Sequence, residues 1–449
     1  MTKDLTEGKP LSLILEFSIP VLLGYLFQQL YNVTDTVIVG KCLGVQALAA
    51  VGSTGAVNFL IIGFVMGVCS GFAIPVAQRF GAKDYTTMRR YIANTVYLCI
   101  VFSVVMTVLT VVFCRPLLLL MQTPEDIVDR ADGYIRIIFA GIPLIFLYNM
   151  VSGIIRALGD SRTPVYFLVL SAVLNIALDL IFIIVFGWDV QGAALATVIS
   201  QGVSGAACLI YMLKKFDIIR PQGDERTFNL KHCGILCGVG VPMGLQYSIT
   251  AIGSVILQSS VNVLGSDAVA ACTAAGKVSQ FFCTVFDSLG TTMATYGGQN
   301  TGAGKISRLG VGVRDSMILA SVYSVAAFFV YLFFGKNLVM LFMDKSETAI
   351  IRSAWIFLLE NSSCYVLLAV VNIVRFMIQG MGFSRFAVLS GVFEMIARSL
   401  MGIFMVPRFG FISAGLASPF AWLLADFFLI PAFIYCRRKL EKQYGGNVR

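Results

Sequence analysis

Long apolar runs, separated by short polar connections, recur from one end of this chain to the other. A run of about 18 apolar residues is long enough to cross a bilayer core of roughly 30 Å as a helix. Twelve such helices are predicted, near residues 13–37, 47–78, 90–113, 131–157, 164–186, 190–213, 232–264, 267–297, 310–335, 350–380, 385–406 and 412–436. The pattern therefore predicts an all-α polytopic membrane protein with twelve transmembrane helices.

Composition supports this class, and the charge distribution predicts an orientation. The chain of 449 residues is 58% hydrophobic and only 13% charged, whereas a soluble domain has about 25% charged residues. Of its 33 Lys and Arg residues, 23 lie in the two termini and the even-numbered connections, and 8 in the odd-numbered ones. The positive-inside rule then places both termini in the cytoplasm, with the protein in the cell (inner) membrane. The net charge of +9 is accordingly a topology signal, and we expect no nucleic-acid partner.

The two halves of the chain resemble each other. The matched positions, at offsets of 219 to 223, are Leu43-Gly44 with Leu264-Gly265, Gln78 with Gln299, Arg156 with Arg375, Ser171 with Ser390, Asn175 with Glu394, Asp179 with Arg398, and Gly187 with Gly410. The longest polar segment, residues 214–231, lies between the halves. We therefore predict an N-lobe over residues 1–213, a cytoplasmic linker over 214–231 and a C-lobe over 232–449.

An even number of spans in each half leaves both halves in the same orientation. Parallel repeats of this kind are related by a pseudo-two-fold axis along the membrane normal. Substrate sites in such transporters lie near the bilayer midplane, between the repeats.

Oxygen-bearing side chains mark the helix near residues 164–186 and the helix that follows it. Asn175 and Asp179 are four residues apart and share a helix face, and Thr197 offers a hydroxyl from the next span. A charged residue in the middle of a membrane helix costs about 2.5–3.5 kcal/mol, so it usually faces a cavity or a partner. Carboxylate, amide and hydroxyl oxygens suit a hard cation or a proton. These residues predict the ion-coupling centre of a transporter.

The first predicted helix is unusually polar. It carries Asp35, which we expect to join the ion-coupling centre, although it could instead hydrogen-bond a neighbouring helix. Gln28, Tyr31 and Asn32 precede it, and they are candidates to line a substrate cleft. Two carboxylates in one lobe would repel each other, and a bound cation or proton would relieve that repulsion.

The matching face in the second half carries Glu394 and Arg398. One turn apart and opposite in charge, they form a possible polar site in the C-lobe. They could either neutralise each other in a structural, ion-independent pair or take part in gating or substrate contact. Arg156 and Arg375 lie near predicted cytoplasmic helix ends, where we expect anchors or lobe-bridging groups whose side chains extend to the interface. Direct contact with the substrate is the alternative.

Several motifs, in order and partly repeated, resemble those of the multidrug and toxic compound extrusion (MATE) transporters. They comprise Pro20, Gln28-Gln29, DTVIVG at 35–40, LGVQALAAVG at 43–52, QRFGAKD at 78–84, SGIIRALGDSRTP at 152–164, LNIALDLIFI at 174–183 and QGAALAT at 191–197. The resemblance covers nearly the whole chain.

The resemblance implies secondary active export of amphipathic, often cationic compounds in exchange for inward H⁺ or Na⁺, by alternating access. Carried over by position, it implies a cation site at Asp35, Asn175, Asp179 and Thr197, a candidate for Na⁺, with Tyr134 nearby. Some members carry an acid in the seventh helix after its proline. Here Pro242 is followed by MGLQYSITAIGSVILQ, which has no acid, so the chain is more similar to the DinF-like branch.

Other functional classes remain as alternatives or are excluded. A related flippase for lipid or lipid-linked saccharides is the nearest alternative, although it predicts a larger cationic cleft. The chain has no HExxH, GxSxG or GxxxxGK[ST] motif, so we expect neither an enzyme nor an ATP-driven pump. We expect no cofactor beyond the coupling ion, a small-molecule substrate, and a monomer. The sequence leaves open whether the ion is H⁺ or Na⁺.

Overall fold

The computed structural model describes residues 3–121 and 123–445. Within these ranges ten helices are long and apolar enough to cross a membrane, and two further pairs of helices, bent by 47° and 51°, pass the same test together. Counting each bent pair as one span gives the twelve predicted spans, which we number in chain order. They are Pro10–Leu43, Gly55–Gly81, Tyr85–Leu120, Val128–Ala140 with Ile142–Ala157, Arg162–Val185, Val190–Lys215, Leu230–Asn262, Ser266–Gly302, Ile306–Val339, Thr348–Ser363 with Tyr365–Gly380, Ser384–Phe409 and Phe411–Gly445.

The expectation of one unbroken helix near 47–78 was wrong. A short helix, Val45–Ser53, precedes span 2, and the chain breaks at Thr54. The Ser53 and Thr54 hydroxyls donate to the carbonyl oxygens of Ala50 and Val51, at 2.8 and 2.7 Å. Such side-chain bonds to backbone carbonyls commonly bend helices, and this explains why an apolar run does not stay a single helix.

The predicted internal repeat has structural counterparts. Spans 5 and 11 each contain a π-helical segment, at Ile181–Val185 and Met401–Met405. The matched glycines Gly44 and Gly265 have φ of 87° and 99°, a left-handed conformation that favours glycine. The two halves therefore share local irregularities as well as helix order.

The chain divides into two compact units. Unit 1 contains residues 1–4 and 23–244, and unit 2 contains residues 5–22 and 245–449. These boundaries differ from the predicted lobes over residues 5–22 and 232–244. Each of these segments contains the beginning of a long, continuous helix, span 1 or span 7. A helix more than 45 Å long can pack its two ends in different places. The hydrophobic pattern alone does not reveal that the beginning of span 1 belongs to unit 2 and the beginning of span 7 to unit 1.

In unit 1, span 2 packs directly against the beginning of span 7. A Cβ placed on Gly71 would collide with Gly240 Cα, and one on Gly67 would lie 2.7 Å from Gly244 Cα. Backbones approach this closely only where side chains are absent, and small residues provide such contacts in membrane helices. The glycines thus fix the packing of these two helices.

The linker folds onto span 3 within unit 1. It forms two short 3₁₀ helices, Asp217–Ile219 and Gly223–Arg226. Arg89 donates through Nε and Nη2 to the two carboxylate oxygens of Glu225, at 2.6 and 2.7 Å, and these hydrogen bonds lower the pKa of Glu225 to about 2. The linker is therefore an ordered part of unit 1.

The N-terminal segment is held in a similar way in unit 2. The Leu5 amide donates to Gln299 Oε1 at 2.8 Å, and the Lys305 ammonium donates to the Thr6 carbonyl at 2.9 Å. Arg308 Nη2 donates to the Leu5 carbonyl at 3.4 Å, and Leu5 is fully buried. Arg308 lies 219 positions after the arginine that binds the linker. The repeat thus places one arginine in each unit against the chain segment that precedes a long helix.

Candidate functional site

The predicted ion-coupling residues meet in unit 1. Asn175 and Asp179 lie in span 5, just before its π-helical segment, and both are fully buried. Asn175 Nδ2 donates to Thr197 Oγ1 in span 6 at 3.2 Å, and this hydroxyl also shares a hydrogen bond of 3.0 Å with the Tyr31 hydroxyl of span 1. Three spans are therefore joined at the Thr197 hydroxyl.

Asp35 and Tyr134 complete the group. The carboxyl groups of Asp35 and Asp179 lie within electrostatic range of each other. Tyr134, in the first half of span 4, is 8% exposed and lies within electrostatic range of Asp35, Tyr31 and Asp179. The structure thus gathers all five predicted ion-coupling residues in one part of unit 1, although their roles remain predictions.

Four oxygens of this group have no hydrogen-bond donor in the described part of the chain. Asp35 Oδ1, Asn175 Oδ1 and both carboxylate oxygens of Asp179 are buried and have no hydrogen-bond partner within residues 3–121 and 123–445. A buried acceptor left unpaired costs about 1–3 kcal/mol. The described ranges contain no group of three His, Cys, Asp or Glu side chains able to hold a metal ion. A monovalent ion at this point would therefore depend on the amide and hydroxyl oxygens as well as the two carboxylates.

The three candidate substrate-cleft residues separate in the structure. Gln28 and Tyr31 line a small cavity of about 20 Å³ in unit 1, together with Tyr148, Ser171 and other residues. This volume is enough for about one water molecule, and it is too small for an organic substrate. Asn32 is exposed and does not line this cavity. A substrate-lining role for these residues stays a prediction.

Glu394 and Arg398 are paired in unit 2, but with a third partner that the sequence interpretation missed. Arg375 Nη1 donates to Glu394 Oε1 at 2.6 Å, and Arg398 Nη2 donates to Glu394 Oε2 at 3.3 Å. The expectation that Arg375 is an interfacial anchor was wrong, because this residue is only 8% exposed. Its burial follows from the buried carboxylate one span away, which needs a second cation close by.

A further acid belongs to this neighbourhood. Asp426 in span 12 is 4% exposed and lies within electrostatic range of Glu394 and Arg375, and neither of its carboxylate oxygens has a hydrogen-bond partner in the described ranges. The internal repeat drew attention to Arg375, because Arg156 occupies the matching position in the first half of the chain. For Asp426 the sequence showed an acidic residue inside an apolar run, which does not indicate its neighbours.

Comparisons with known proteins place the chain in a family. The sequence model of the MatE family matches twice, over residues 20–181 and 242–404, in agreement with the predicted repeat. A probable multidrug resistance protein, YpnP of Bacillus subtilis strain 168, is 31% identical over 77% of both chains. The FAD transporter of Shewanella oneidensis strain MR-1 is 24% identical over 74% of this chain and 75% of that protein.

A solved structure supports the same fold. The crystal structure of MATE in complex with MaL6 superposes with a TM-score of 0.91 at 24% identity, covering 98% of this chain and all of the other. The family-model match and the identity to YpnP confirm the expected membership, while the assignment to the DinF-like branch stays a prediction. The chain belongs to the MatE family, the multidrug and toxic compound extrusion transporters.

Proposed function

We propose that this transporter is a secondary active antiporter that exports amphipathic, often cationic compounds in exchange for H⁺ or Na⁺. The relatives favour export, since YpnP carries the name of a multidrug resistance protein. The distribution of Lys and Arg supports a cell-membrane protein with both termini in the cytoplasm. The compact units and the absence of any need for a second copy at the candidate site are consistent with a monomer.

One observation carries the coupling proposal. Four buried oxygens of Asp35, Asn175 and Asp179 have no hydrogen-bond donor among the described residues. A positive charge beside them would therefore be stabilising. A proton shared between the two carboxyl groups would satisfy some of these oxygens, and a Na⁺ ion also held by the Thr197 hydroxyl would satisfy more of them. The same residues therefore serve either coupling ion.

Coupling requires the ion to favour one conformation over another. A ligand shifts a conformational equilibrium only by the difference between its affinities for the two states. Asp35 and Tyr31 lie in span 1, whereas Asn175 and Thr197 lie in spans 5 and 6. Ion binding would draw span 1 toward spans 5 and 6, and loss of the ion would release it. A substrate that favours the released state would then exchange against the ion.

The test is dye uptake into inverted membrane vesicles, which reports export. Wild type and Asp35→Asn are compared, with a Na⁺ gradient and a pH gradient applied separately. Asp344→Asn, at an exposed position between spans 9 and 10, makes the same chemical change away from the site and serves as control. Equal amounts of folded protein are verified by size-exclusion chromatography.

We expect uptake driven by one gradient in wild type and Asp344→Asn, and none in Asp35→Asn. This result would identify the ion, and Asp179→Asn should behave as Asp35→Asn does. Wild-type uptake in Asp35→Asn would overturn the coupling role of this residue. If no gradient drives uptake of several cationic dyes into wild-type vesicles, the flippase alternative becomes the better one, and scrambling of a labelled lipid would test it.

A further inference from the structure

Unit 2 contains a second, larger cavity with basic character. It has a volume of about 550 Å³ and opens to the surface between spans 7, 8, 10, 11 and 12. Lys277 and Arg398 line it, with uncharged polar side chains such as Gln258, Thr273 and Gln280. No acidic side chain is among its described lining residues. The size falls within the usual range of small-molecule sites, about 300–1,000 Å³.

Lys277 is a cation without a partner. It lies eleven residues after the start of span 8 at Ser266, roughly 16 Å along the helix axis. Its ammonium makes no hydrogen bond or ion pair with any residue that the structure describes. A charge so far into a membrane span is expensive unless it faces water or an opposite charge, and the cavity is the place where this side chain meets either.

Arg398 is a second cation, and only part of its guanidinium group is hydrogen-bonded. Its Nη2 is bound to Glu394, but Nη1 is buried and has no partner among the described residues. The residue is only 8% exposed. Glu394 is shared with Arg375, so one carboxylate serves two guanidinium groups. Asp426 and Asp287 also lie within electrostatic range of Arg375, so acids offset the two guanidinium groups. Lys277 is then the lining cation that no described acid pairs.

The repeat makes the contrast between the units explicit. The positions of Asn175 and Asp179 in unit 1 are taken by Glu394 and Arg398 in unit 2. The first pair presents unpaired oxygens, and the second presents a guanidinium nitrogen. The unit 2 cavity therefore has a polarity opposite to that of the candidate cation site.

We propose that the cavity of unit 2 binds the oxyanion group, carboxylate or phosphate, of an anionic or zwitterionic substrate, with Lys277 and Arg398 as its two cationic contacts. This inference rests on the proposed export function and narrows its substrate class beyond cations. Phe357 gives the cavity an aromatic surface beside the two cations. A ligand with an aromatic body and one negative group matches this lining.

A lipid phosphate offers the same chemistry as a carboxylate on a solute. We assign the cavity to the solute, because its volume and its glutamine and threonine side chains suit a compact polar group held inside the lobe. The lipid alternative predicts competition by anionic lipid. The two sources are therefore separated by varying the lipid composition of the membrane.

The experiment uses two dyes that differ only at one group: a rhodamine with a free carboxylate and its methyl ester. Binding to the purified full-length protein in nanodiscs is followed by fluorescence anisotropy, with zwitterionic lipid alone or with added phosphatidylglycerol. The variants are Lys277→Gln, Lys277→Met and Lys277→Arg. Lys345→Gln, at an exposed position between spans 9 and 10, is the control for net charge.

We expect the carboxylate dye to lose about tenfold to a hundredfold in affinity in Lys277→Gln and Lys277→Met, as is usual for a hydrogen bond between charged groups. Lys277→Arg and Lys345→Gln should retain it, and the ester should be unaffected throughout. Phosphatidylglycerol should change neither affinity. Two variants of different polarity are used so that at least one yields folded protein.

Equal loss for both dyes, or no loss in either variant, would overturn the inference. Weakening of the carboxylate dye by phosphatidylglycerol would assign the cavity to lipid and also overturn it. Gradient-driven transport of the ester in wild-type vesicles tests the export function separately. If the ester is transported and the carboxylate dye shows no dependence on Lys277, the anion site is rejected while export stands. If neither dye binds or moves, both are rejected.

Discussion

The buried charge cluster of unit 2 gives a stability prediction that can be worked from its geometry. Glu394 accepts hydrogen bonds from two arginines, and the side chains of all three residues are at most 10% exposed. Substitution Glu394→Gln keeps the shape of the side chain and removes its charge. Arg375 and Arg398 then remain buried as two like charges with a neutral amide between them, and Arg398 loses the acid with which it is paired, while Asp426 and Asp287 stay within electrostatic range of Arg375. We expect a large loss of stability.

The magnitude follows from the cost of an unpaired buried charge. Removing one partner of a buried ion pair costs about 3–5 kcal/mol, and the Gln oxygen would recover about 1 kcal/mol as a neutral hydrogen-bond acceptor. The net loss is about 2–4 kcal/mol. An unfolding entropy of about 2.1 cal/mol/K per residue gives about 0.9 kcal/mol/K for the whole chain. The expected decrease in Tm is therefore about 2–4 °C, and larger if helices persist after unfolding in the micelle.

The assay is thermal unfolding of the detergent-solubilised protein, followed by tryptophan fluorescence. Glu441→Gln is the matched control, because Glu441 forms an exposed pair with Arg437 and such pairs contribute about 0–1 kcal/mol. The double variant Glu394→Gln/Arg398→Gln removes one of the two like charges, so its Tm should lie above that of Glu394→Gln alone. If Glu394→Gln melts with the control, or the double variant melts lower, the reasoning about this cluster is wrong.

Two further predictions concern unit 1. Gly71→Ala should lower stability by about 1–3 kcal/mol, because its Cβ would meet the backbone of Gly240. The control Gly52→Ala has open space around its Cβ and should leave stability unchanged or raise it. Equal melting temperatures of the two variants would contradict this. Arg89 holds the pKa of Glu225 at about 2, below its usual 4.5, so this pair should contribute about 3 kcal/mol above pH 4.5 and lose that contribution as pH falls toward 2. The stability difference between wild type and Glu225→Gln should shrink over that range, and a difference independent of pH would contradict it.

Much of the fold could be predicted from the sequence because one strong signal determines it. Apolar length identifies each membrane span, and the twelve predicted regions correspond to the twelve spans of the structure. The helical period placed Asn175 and Asp179 on one face, and the structure bears out that geometry. The repeat matched Gly44 with Gly265, and both glycines have positive φ in the structure.

The features that were not predicted depend mostly on contacts between spans. Residues that meet in such contacts are far apart in the chain, so the sequence around each one does not indicate them. Asp35 and Asp179 are about 140 positions apart, and their place in one site was expected from the polar character of both helices and from the family resemblance, whereas no residue near Asp35 indicates the contact itself. The pairing of Arg375 with Glu394 was missed for the same reason, since position near a helix end suggested an interfacial side chain. The break at Thr54 was missed because the surrounding residues are apolar enough to continue a helix.

The exchange of helix beginnings between the two units has a consequence for synthesis. Residues 5–22 belong to the same compact unit as residues 245–449, yet more than 220 residues separate them along the chain. At about 5–20 residues per second, the ribosome needs roughly 11–45 s to pass from residue 22 to residue 245. During that interval the first helix is already made while the unit that will bury its beginning is not. Unit 2 can therefore be completed only after most of the chain has entered the membrane, and a ribosome that stalls in the first half leaves this segment without the surface that covers it.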